Sequence, residues 1–324
     1  MTTQINKFDV SLIIVNWNTK QLLLECIESL IHETHRCSIE IIVVDNGSTD
    51  GSAQAVQERF PDVKLILNDK NLGFAKANNI GIKLSSGRYV CLVNSDIKAL
   101  DACIDRMHDY MNNNPTIGAL GPKTLGGDLK FRLNCRDFPD LWKSFCESLM
   151  LNKIFTRSKF LRGRLITDID QNAAQSVDVL SGCFLMIRRE VIEQVGMLDE
   201  KFYIYGEDRD WCKRIHSAGW DVVFYPGAQA IHYGGVSSAA APVKFQIEIL
   251  KSDFIYWEKH HSWIEQKTYF MIKVFHYLIR IVGLSIKSFI KTSTQKSTLL
   301  QLKNSAVCLK WTISHQLNVQ SETD

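Results

Sequence analysis

At 324 residues, with 45% hydrophobic and 23% charged residues, the chain fits one large α/β domain with an appendage, or two modest domains. This balance excludes a disordered protein and a fully membrane-embedded one. The nine cysteines stand singly, so the sequence indicates neither a zinc site nor a disulfide framework. The N-terminal stretch "MTTQINKFDVSL" lacks the features of a secretory signal, and we therefore expect a cytoplasmic protein with reduced thiols.

The formal net charge of +3 is unevenly distributed along the chain. Residues 264–324 contain eight Lys or Arg against three Asp or Glu, a net +5, which leaves −2 for residues 1–263. This asymmetry predicts that the C-terminal tail meets an anionic surface. We expect a membrane surface in that role and no nucleic-acid partner.

Over the first hundred residues, four apolar runs alternate with helical patterns. The strands are predicted at residues 10–16, 39–45, 63–68 and 89–95. The helices are predicted in "KQLLLECIESLI", "GSAQAVQERF" and "GFAKANNIGIKLS". Because the strand runs are apolar throughout, we expect a Rossmann-like, mostly parallel central sheet flanked by helices. No glycine-rich phosphate loop of the dinucleotide or P-loop type is present.

Residues 126–175 show no strong periodicity and are interpreted as a long functional excursion. Order then returns. "VDVLSGCFLMIRRE" predicts a buried strand, "REVIEQVGMLD" a short helix, "GEDRDWCKRIHSAGW" a helix closed by Gly219, and "DVVFYP" a last strand.

The segment 264–291 predicts an amphipathic helical extension. Lys273, Arg280 and Lys287 are spaced by seven residues, and His276 and Lys291 fall beside them, which gives one narrow basic stripe on an otherwise apolar helix. A charge every second turn disfavours a membrane-spanning helix. The pattern favours an interfacial helix in the membrane plane with its lysines toward anionic headgroups. A core helix or a dimer helix is the alternative.

Polar residues follow the carboxyl ends of three predicted strands, where ligands bind in open α/β sheets. They are Asn16 and Asn18, then Asp45 and Asn46, then Asn94, Ser95 and Asp96. Asp45 lies where a dinucleotide fold places its ribose-binding acid, and the missing glycine loop suggests a mononucleotide held by base and sugar. The alternative is that Asp45 only turns the chain toward Ser48, Thr49 and Asp50, any of which could cap the next helix.

Asn94 and Asp96 are two residues apart at a strand end, so both side chains leave the same face. One carboxylate and one amide can hold Mg²⁺ if a diphosphate supplies further oxygens. An Asx turn is the alternative interpretation of "NSD".

Six segments together resemble the family 2 inverting glycosyltransferases of the GT-A fold, and especially their rhamnosyltransferase-like branch. They are "SLIIVNWNT", "IIVVDNGSTDGS", "NLGFAKANNIGI", "YVCLVNSD", "LSGCFLMIRREVIEQVGMLDEKFYIYGEDRDWCKRIHSAGW" and "AIHYGG". They occur in family order and cover about residues 10–238. Each segment is moderately specific, whereas six in register are highly specific.

The resemblance implies a sugar-nucleotide pocket in which Asp45 contacts the base or ribose, close to the loop from Asn16 to Asn18. The residues that match the rest of the family's nucleotide-lining segment are Gly73, Phe74, Asn78 and Asn79. "NSD" corresponds to the family's metal motif, with Asn94 in place of its first Asp and Asp96 at its second carboxylate. His232 matches a position that completes the metal and diphosphate site, although a lone His at a strand end is often structural. The implied cofactor is Mg²⁺ or Mn²⁺.

By the same resemblance, Asp208 matches the general base, with Glu207 beside it. The alternative for Asp208 is an acid placed favourably at a helix N-terminus. Ser181, Gly182 and Cys183 match the region that receives the acceptor. Just beyond it, Arg188 and Arg189 are expected to be surface charges that begin the next helix.

We therefore expect a metal-dependent inverting glycosyltransferase of cell-surface glycan synthesis at the inner face of the cell membrane. The resemblance implies a dTDP- or UDP-linked donor, with L-rhamnose favoured, and a lipid-linked or polysaccharide acceptor. A sugar nucleotidyltransferase and a non-catalytic nucleotide-sugar-binding protein are the alternatives. The expected domains are a glycosyltransferase domain at 1–260, with a donor half at 8–98 and an acceptor half at 99–240, and a helical tail at 261–324.

Overall fold

The computed structural model describes residues 7–155, 158–234, 242–290 and 295–321. The chain forms two compact units. We call Met1–Phe138 with Asp168–Ala240 the sheet unit, and Pro139–Thr167 with Ala241–Asp324 the helical unit. This division differs from the boundary expected at residue 260, because residues 139–167 and 241–260 group with the C-terminal helices.

Twelve strands form within the described residues, ten of them in one sheet. They are β1 (Phe8–Asn16), β2 (Ile39–Asp45), β3 (Lys64–Leu67), β4 (Gly87–Asn94), β5 (Ile97–Leu100), β6 (Ile117–Leu125), β7 (Phe131–Arg132), β8 (Cys135–Arg136), β9 (Gln175–Ser176), β10 (Val179–Leu180), β11 (Phe184–Arg188) and β12 (Asp221–His232). The main order is β3-β2-β1-β4-β11-β6-β12-β5; β7 pairs with β6, β9 with β12, and β8 and β10 pair separately. Since β1 to β4 are mutually parallel, their carboxyl ends share one edge.

The helices divide between the two units. In the sheet unit they are α1 (Lys20–His32), α2 (Ser52–Arg59), α3 (Phe74–Leu84), α4 (Cys103–Asn113), α7 (Arg189–Val195) and α8 (Glu207–Ser217). In the helical unit they are α5 (Leu141–Ser148), α6 (Leu151–Ile154), α9 (Pro242–His260), α10 (Trp263–Ile290) and α11 (Gln295–Ser321). The helix α8 ends as expected, with Gly219 at φ +86° just beyond it.

The first four strands and three helices lie where the sequence predicted them, and their apolar residues form the core of the sheet unit. The sequence did not predict β5, α4 and β6, nor the short elements β7, β8, β9, α5 and α6. The single strand expected over 177–190 is interrupted between β10 and β11, because residue 181 donates its backbone N–H to the Asn134 carbonyl (2.9 Å). The last strand extends beyond the expected "DVVFYP" to His232.

The expectation that Arg188 and Arg189 are plain surface charges is wrong. Arg188 is buried, and its guanidinium donates to the carbonyls of Ile117 (3.1 Å) and Met111 (2.9 Å). Arg189 donates to the Gly87 carbonyl at 2.6 Å. Both arginines therefore tie β11 and α7 to neighbouring elements of the sheet unit.

The helical unit contains a largely buried polar cluster of Glu147, Arg164, Asp253, Tyr269 and Lys273. Arg164 makes a forked contact with Glu147 (3.0 and 3.1 Å from Nε) and lies 3.8 Å from Asp253. Asp253 also accepts from the Tyr269 hydroxyl at 2.8 Å and pairs with Lys273 at 3.4 Å. Burial alone would raise the pKa of Glu147, but the charge and hydrogen bonds of Arg164 together with the Lys273 charge outweigh it and lower that pKa.

The predicted basic stripe of α10 lies largely inward, which corrects the expectation that it faces headgroups. Besides the Lys273–Asp253 pair, His276 contacts the Ser148 carbonyl (3.1 Å) and Arg280 donates to Ser305 (3.1 Å). Lys287 is exposed near the end of the helix, and Lys291 lies outside the described residues. The partners of these side chains lie on other elements of the helical unit. The sequence pattern of α10 alone therefore could not predict them.

Candidate active site

Asp45 ends β2 beside Asn16, which ends β1. Its carboxylate is buried and accepts from the Asn16 side chain (2.9 Å) and from the Ser48 backbone N–H (2.8 Å). The turn predicted as the alternative therefore forms. A carboxylate has about four acceptor sites, so these two bonds leave capacity for a ligand hydroxyl.

Asn18 and Asn46 shape the loops on either side of Asp45. Asn18 has φ +54°, and its side-chain oxygen accepts from the Thr49 backbone N–H at 2.8 Å. Asn46 is buried; it donates to Asn71 (3.0 Å) and to the Gly73 carbonyl (3.2 Å), and it accepts from Asn68 and Leu72. All four hydrogen-bonding positions of Asn46 are thus filled by the chain, and its direct contact with a nucleotide stays a prediction.

Gly73 and Phe74 form a tight entry to α3. Gly73 has φ +88°, and a Cβ there would lie 2.5 Å from the Tyr203 carbonyl oxygen, so only glycine fits. That same oxygen accepts from the Phe74 backbone N–H at 2.6 Å. The loop before α3 is therefore tied to the segment that precedes α8.

Asn78 and Asn79, predicted to line the nucleotide pocket, are buried within the protein scaffold. Asn78 donates to the Phe74 carbonyl one turn back (2.9 Å). Asn79 donates to the Leu198 carbonyl (2.8 Å) and accepts from the Leu198 N–H (3.1 Å). The two Asn79 bonds attach α3 to the segment around Leu198, which precedes α8.

Asn94 and Ser95 connect the ends of β4, β1 and β11. Asn94 donates its backbone N–H to the Cys183 carbonyl (2.8 Å), whereas its buried side-chain Oδ1 has no partner. The Ser95 hydroxyl bonds to that of Thr19 (2.7 Å), which in turn donates to Asn16 (2.7 Å). Thr19 was not predicted as a site residue from the sequence. Its one available signal was a hydroxyl side chain in the loop between β1 and α1.

Asp96 and His232 meet at the ends of β4 and β12. One Asp96 oxygen lies 3.3 Å from His232 Nε2, and the other accepts from the Gly234 backbone N–H at 2.9 Å. Burial alone would lower the pKa of His232, but hydrogen bonds to Asp96 and Cys183 outweigh it and raise the pKa to about 10. The structure thus joins the two residues predicted as metal ligands.

The donor set fits a hard divalent cation that takes further oxygens from its substrate. Asp96 supplies a carboxylate, and Asn94 Oδ1 is a buried acceptor without a partner. No group of three His, Cys, Asp or Glu side chains that could hold a metal occurs among the described residues. Mg²⁺ and Mn²⁺ commonly bind through one or two protein oxygens plus phosphates and water, so this set suits them.

Asp208 and Gly182 face each other at the proposed acceptor side. The Gly182 backbone N–H donates to Asp208 Oδ2 (3.1 Å), and Asp208 Oδ1 accepts from the Arg209 N–H (2.7 Å). A Cβ at Gly182 would lie 3.4 Å from Asp208 Cβ and 3.6 Å from the Phe74 ring. Phe74 of the donor side and Asp208 therefore flank the same glycine.

Glu207 begins α8 as a buried neighbour of Asp208, with Oε2 lacking a hydrogen-bond partner. Burial, followed by the nearby Asp208 charge, raises the pKa of Glu207 well above its ordinary value. The ionised form of Glu207 is therefore disfavoured by the surrounding protein.

The three acids predicted to act together are linked by one series of contacts. It runs from Asp45 through Asn16 and Thr19 to Ser95, which precedes Asp96. From Asn94 it continues to Cys183 across the paired strands β4 and β11, then along the backbone through Gly182 to Asp208. The sheet thus assembles groups that lie more than 160 residues apart in sequence at one edge.

Three comparisons relate the chain to known proteins. The family model described as glycosyl transferase family 2 matches residues 11–196, more than half of the chain. An N-acetylglucosaminyl-diphospho-decaprenol L-rhamnosyltransferase of Mycobacterium tuberculosis is 29% identical over 235 residues, 69% of this chain and 76% of the relative. Glycosyltransferase AglE of Haloferax volcanii is 26% identical over 220 residues, 66% of this chain and 64% of the relative.

A similar solved structure is mannosyltransferase PcManGT from Pyrobaculum calidifontis in complex with GDP-Man and Mn²⁺. It superposes with a TM-score of 0.55 at 15% sequence identity, covering 95% of this chain and 88% of that chain. This likeness concerns the fold. It confirms the expected mixed, mostly parallel sheet flanked by helices.

Proposed function

Because the chain belongs to glycosyl transferase family 2, with the GT-A fold, we propose that it moves a sugar from a nucleoside diphosphate to an acceptor hydroxyl with inversion at the anomeric carbon. Its curated relatives include a rhamnosyltransferase. The observation that carries the proposal is the pair of contacts at Gly182, which holds Asp208 beside Phe74 of the donor loop.

The proposed reaction is one displacement, so a base must take the acceptor proton while the diphosphate leaves from the opposite face. We assign that role to Asp208, whose carboxylate accepts from two backbone N–H groups, those of Gly182 and Arg209. Burial and the Asp208 charge raise the pKa of Glu207, which disfavours a second negative charge against Asp208. Glu207 thus acts as a positioning neighbour, while Asp208 remains the proposed catalytic residue.

A divalent cation, Mg²⁺ or Mn²⁺, would be held by Asp96 and the Asn94 amide oxygen, with His232 at the same site. Such a cation stabilises negative charge on a departing diphosphate and makes a separate general acid unnecessary. The His232 imidazole orients Asp96, and the Gly234 N–H fixes its second oxygen.

For the donor we propose dTDP-L-rhamnose, with a UDP-sugar as the second choice, and for the acceptor a lipid-linked or polysaccharide glycan at the cytoplasmic side of the membrane. Support comes from the Mycobacterium tuberculosis relative, an N-acetylglucosaminyl-diphospho-decaprenol L-rhamnosyltransferase, whose acceptor is linked to decaprenol through a diphosphate. The ribose contact is assigned to Asp45, which retains acceptor capacity beside the Asn16 loop.

The test is incubation of the purified chain with dTDP-, UDP- and GDP-sugars and Mn²⁺, with separation of the nucleotide products. Slow, metal-dependent release of dTDP from dTDP-rhamnose is the expected result. In a parallel incubation with added pyrophosphate, conversion of the donor to a nucleoside triphosphate and a sugar 1-phosphate would instead identify a sugar nucleotidyltransferase. Thermal stabilisation by a donor without any release, with acceptor glycolipid present, would identify a non-catalytic binding protein, and both outcomes overturn the proposal.

A further inference from the structure

The helix α10 exposes an apolar face, interrupted by exposed Thr268, that we call the outer face. Its six residues are between 45% and 61% exposed and are spaced by seven, four, three, four and four positions, so they lie on one side of the helix. They are Ile264, Met271, Phe275, Leu278, Val282 and Ile286. None carries a charge or a hydrogen-bonding side chain, and soluble surfaces seldom expose such a patch without using it.

The opposite side of α10 is fixed to the helical unit. Lys273 pairs with Asp253 of α9, His276 contacts the last residue of α5, and Arg280 bonds to Ser305 of α11. Rotation of α10 about its axis would break all three contacts. The outward direction of the apolar residues is therefore built into the unit.

The helical unit that contains α10 is basic in sequence and exposes many apolar side chains. The helical unit contains 17 Lys or Arg and 8 Asp or Glu, a net +9, whereas the sheet unit has a net −6. Of the 25 large hydrophobic residues exposed in the described part of the chain, 18 belong to the helical unit. On α11, the exposed lysines Lys303 and Lys310 alternate with exposed Leu300 and Val307.

We propose that the outer face of α10 inserts into the interfacial region of an anionic lipid bilayer, with the helix axis parallel to the membrane plane. The apolar side chains bury among acyl chains, and the positive charge of the helical unit is attracted to acidic headgroups. The face from residue 264 to residue 286 would extend about 33 Å along the membrane. Exposed Trp263 at its start suits the interface, where tryptophan is enriched.

Two other roles for α10 fit the observations less well: a membrane-spanning helix and an interface with a second copy of the chain. The segment Trp263–Ser288 is long and apolar enough to cross a bilayer. Crossing would remove Lys273 and Arg280 from their protein partners and place them in hydrocarbon, which is costly. A second copy of the chain would bring two units of net +9 together, which like-charge repulsion opposes.

The experiment is flotation of the intact chain with vesicles of phosphatidylcholine alone or of equal parts phosphatidylcholine and phosphatidylglycerol. We expect flotation with the anionic vesicles and much less with the neutral ones. The variant Leu278→Ser with Val282→Ser should lower the partition coefficient on anionic vesicles by roughly tenfold or more, since two apolar side chains no longer enter the acyl region. The matched control, Ile31→Ser with Leu84→Ser, removes two exposed apolar residues of the sheet unit and should float like the unmodified chain.

Absence of flotation by the intact chain, equal flotation with both vesicle types, or unchanged flotation of the Leu278 and Val282 variant would each overturn the proposal. Alkaline carbonate should release the bound chain, and its retention would instead indicate a spanning helix. Light scattering without lipid should give the same mass for the variant and the parent; a dimer lost on substitution would assign the outer face to a second copy. These readouts need no sugar donor, so the proposal stands or fails separately from the proposed function.

Discussion

The sheet unit and the helical unit handle charged and apolar side chains in opposite ways. In the sheet unit, acids such as Asp45, Asp96 and Asp208 collect at one edge, where backbone N–H groups and amides orient them. In the helical unit, the charges Asp253 and Lys273 face inward, and apolar residues of α10 face outward. The polar groups of the sheet unit thus gather at the edge proposed as the active site. Those of the helical unit instead fix the rotation of α10 about its axis.

If Asp208 is the base of the sheet unit, Asp208→Asn should lower sugar transfer by about 10²- to 10⁴-fold, the usual contribution of general-base catalysis. The amide oxygen can still accept from the Gly182 N–H, so donor binding should persist. Transfer rates and donor titrations check this. The exposed acid Asp62, changed to Asn, is the control and should leave transfer unchanged; near-normal turnover of Asp208→Asn would remove the catalytic role.

The inward charges of the helical unit are tested by Asp253→Asn. The change leaves Arg164 and Lys273 without a shared buried counter-charge, and we expect a loss of about 3 kcal/mol in the free energy of unfolding. Denaturant unfolding measures it. Asp109→Asn removes an exposed ion pair with Arg36 of the sheet unit and should cost under about 1 kcal/mol. Equal costs would contradict the contrast between the units.

The rigidity of the donor loop is tested by two glycines with nearly equal φ. Gly73→Ala places a Cβ against the Tyr203 carbonyl, whereas Gly219→Ala places one where no atom lies within 4 Å. Backbone strain alone should cost Gly219→Ala about 1 kcal/mol. Gly73→Ala should cost about 2 kcal/mol more because the clash adds to that strain. Similar denaturant midpoints for Gly73→Ala and Gly219→Ala would show that the loop before α3 rearranges at little cost in free energy.

The smallest expected effect is the pH dependence contributed by Glu207. Its pKa is raised in the folded state by burial and by Asp208, so its contribution to stability is complete below the unfolded pKa of about 4.3 and declines as pH rises toward the folded pKa. Glu207→Gln should therefore gain stability relative to the parent as the pH rises above about 4.3. Thermal midpoints check this, with exposed Glu258→Gln as the control. Parallel curves for the parent and Glu207→Gln would contradict a raised pKa.

Local patterns were sufficient for the elements whose sequences show a continuous apolar run or a helical spacing of apolar residues. The apolar runs before Asn16, Asp45 and Asn94 predicted β1, β2 and β4, and the polar residues that follow them predicted the edge where the site forms. The strand β6 escaped prediction because Gly118, Gly121 and Pro122 interrupt it, and such residues ordinarily argue against a central strand. Its pairing with β11 and β12 stabilises it regardless.

The sequence by itself determined the family, the order of the strands and helices around the site, and the amphipathic character of α10, since these depend on residue type and short spacing. Only the tertiary structure decided which side of α10 faces outward, because Lys273 finds Asp253 twenty positions earlier in the chain. It also decided that the side-chain amides of Asn46 and Asn79 bond to other groups of the chain, and that Arg188 is buried. A polar side chain takes whichever partner the fold brings near it, and no local pattern records that choice.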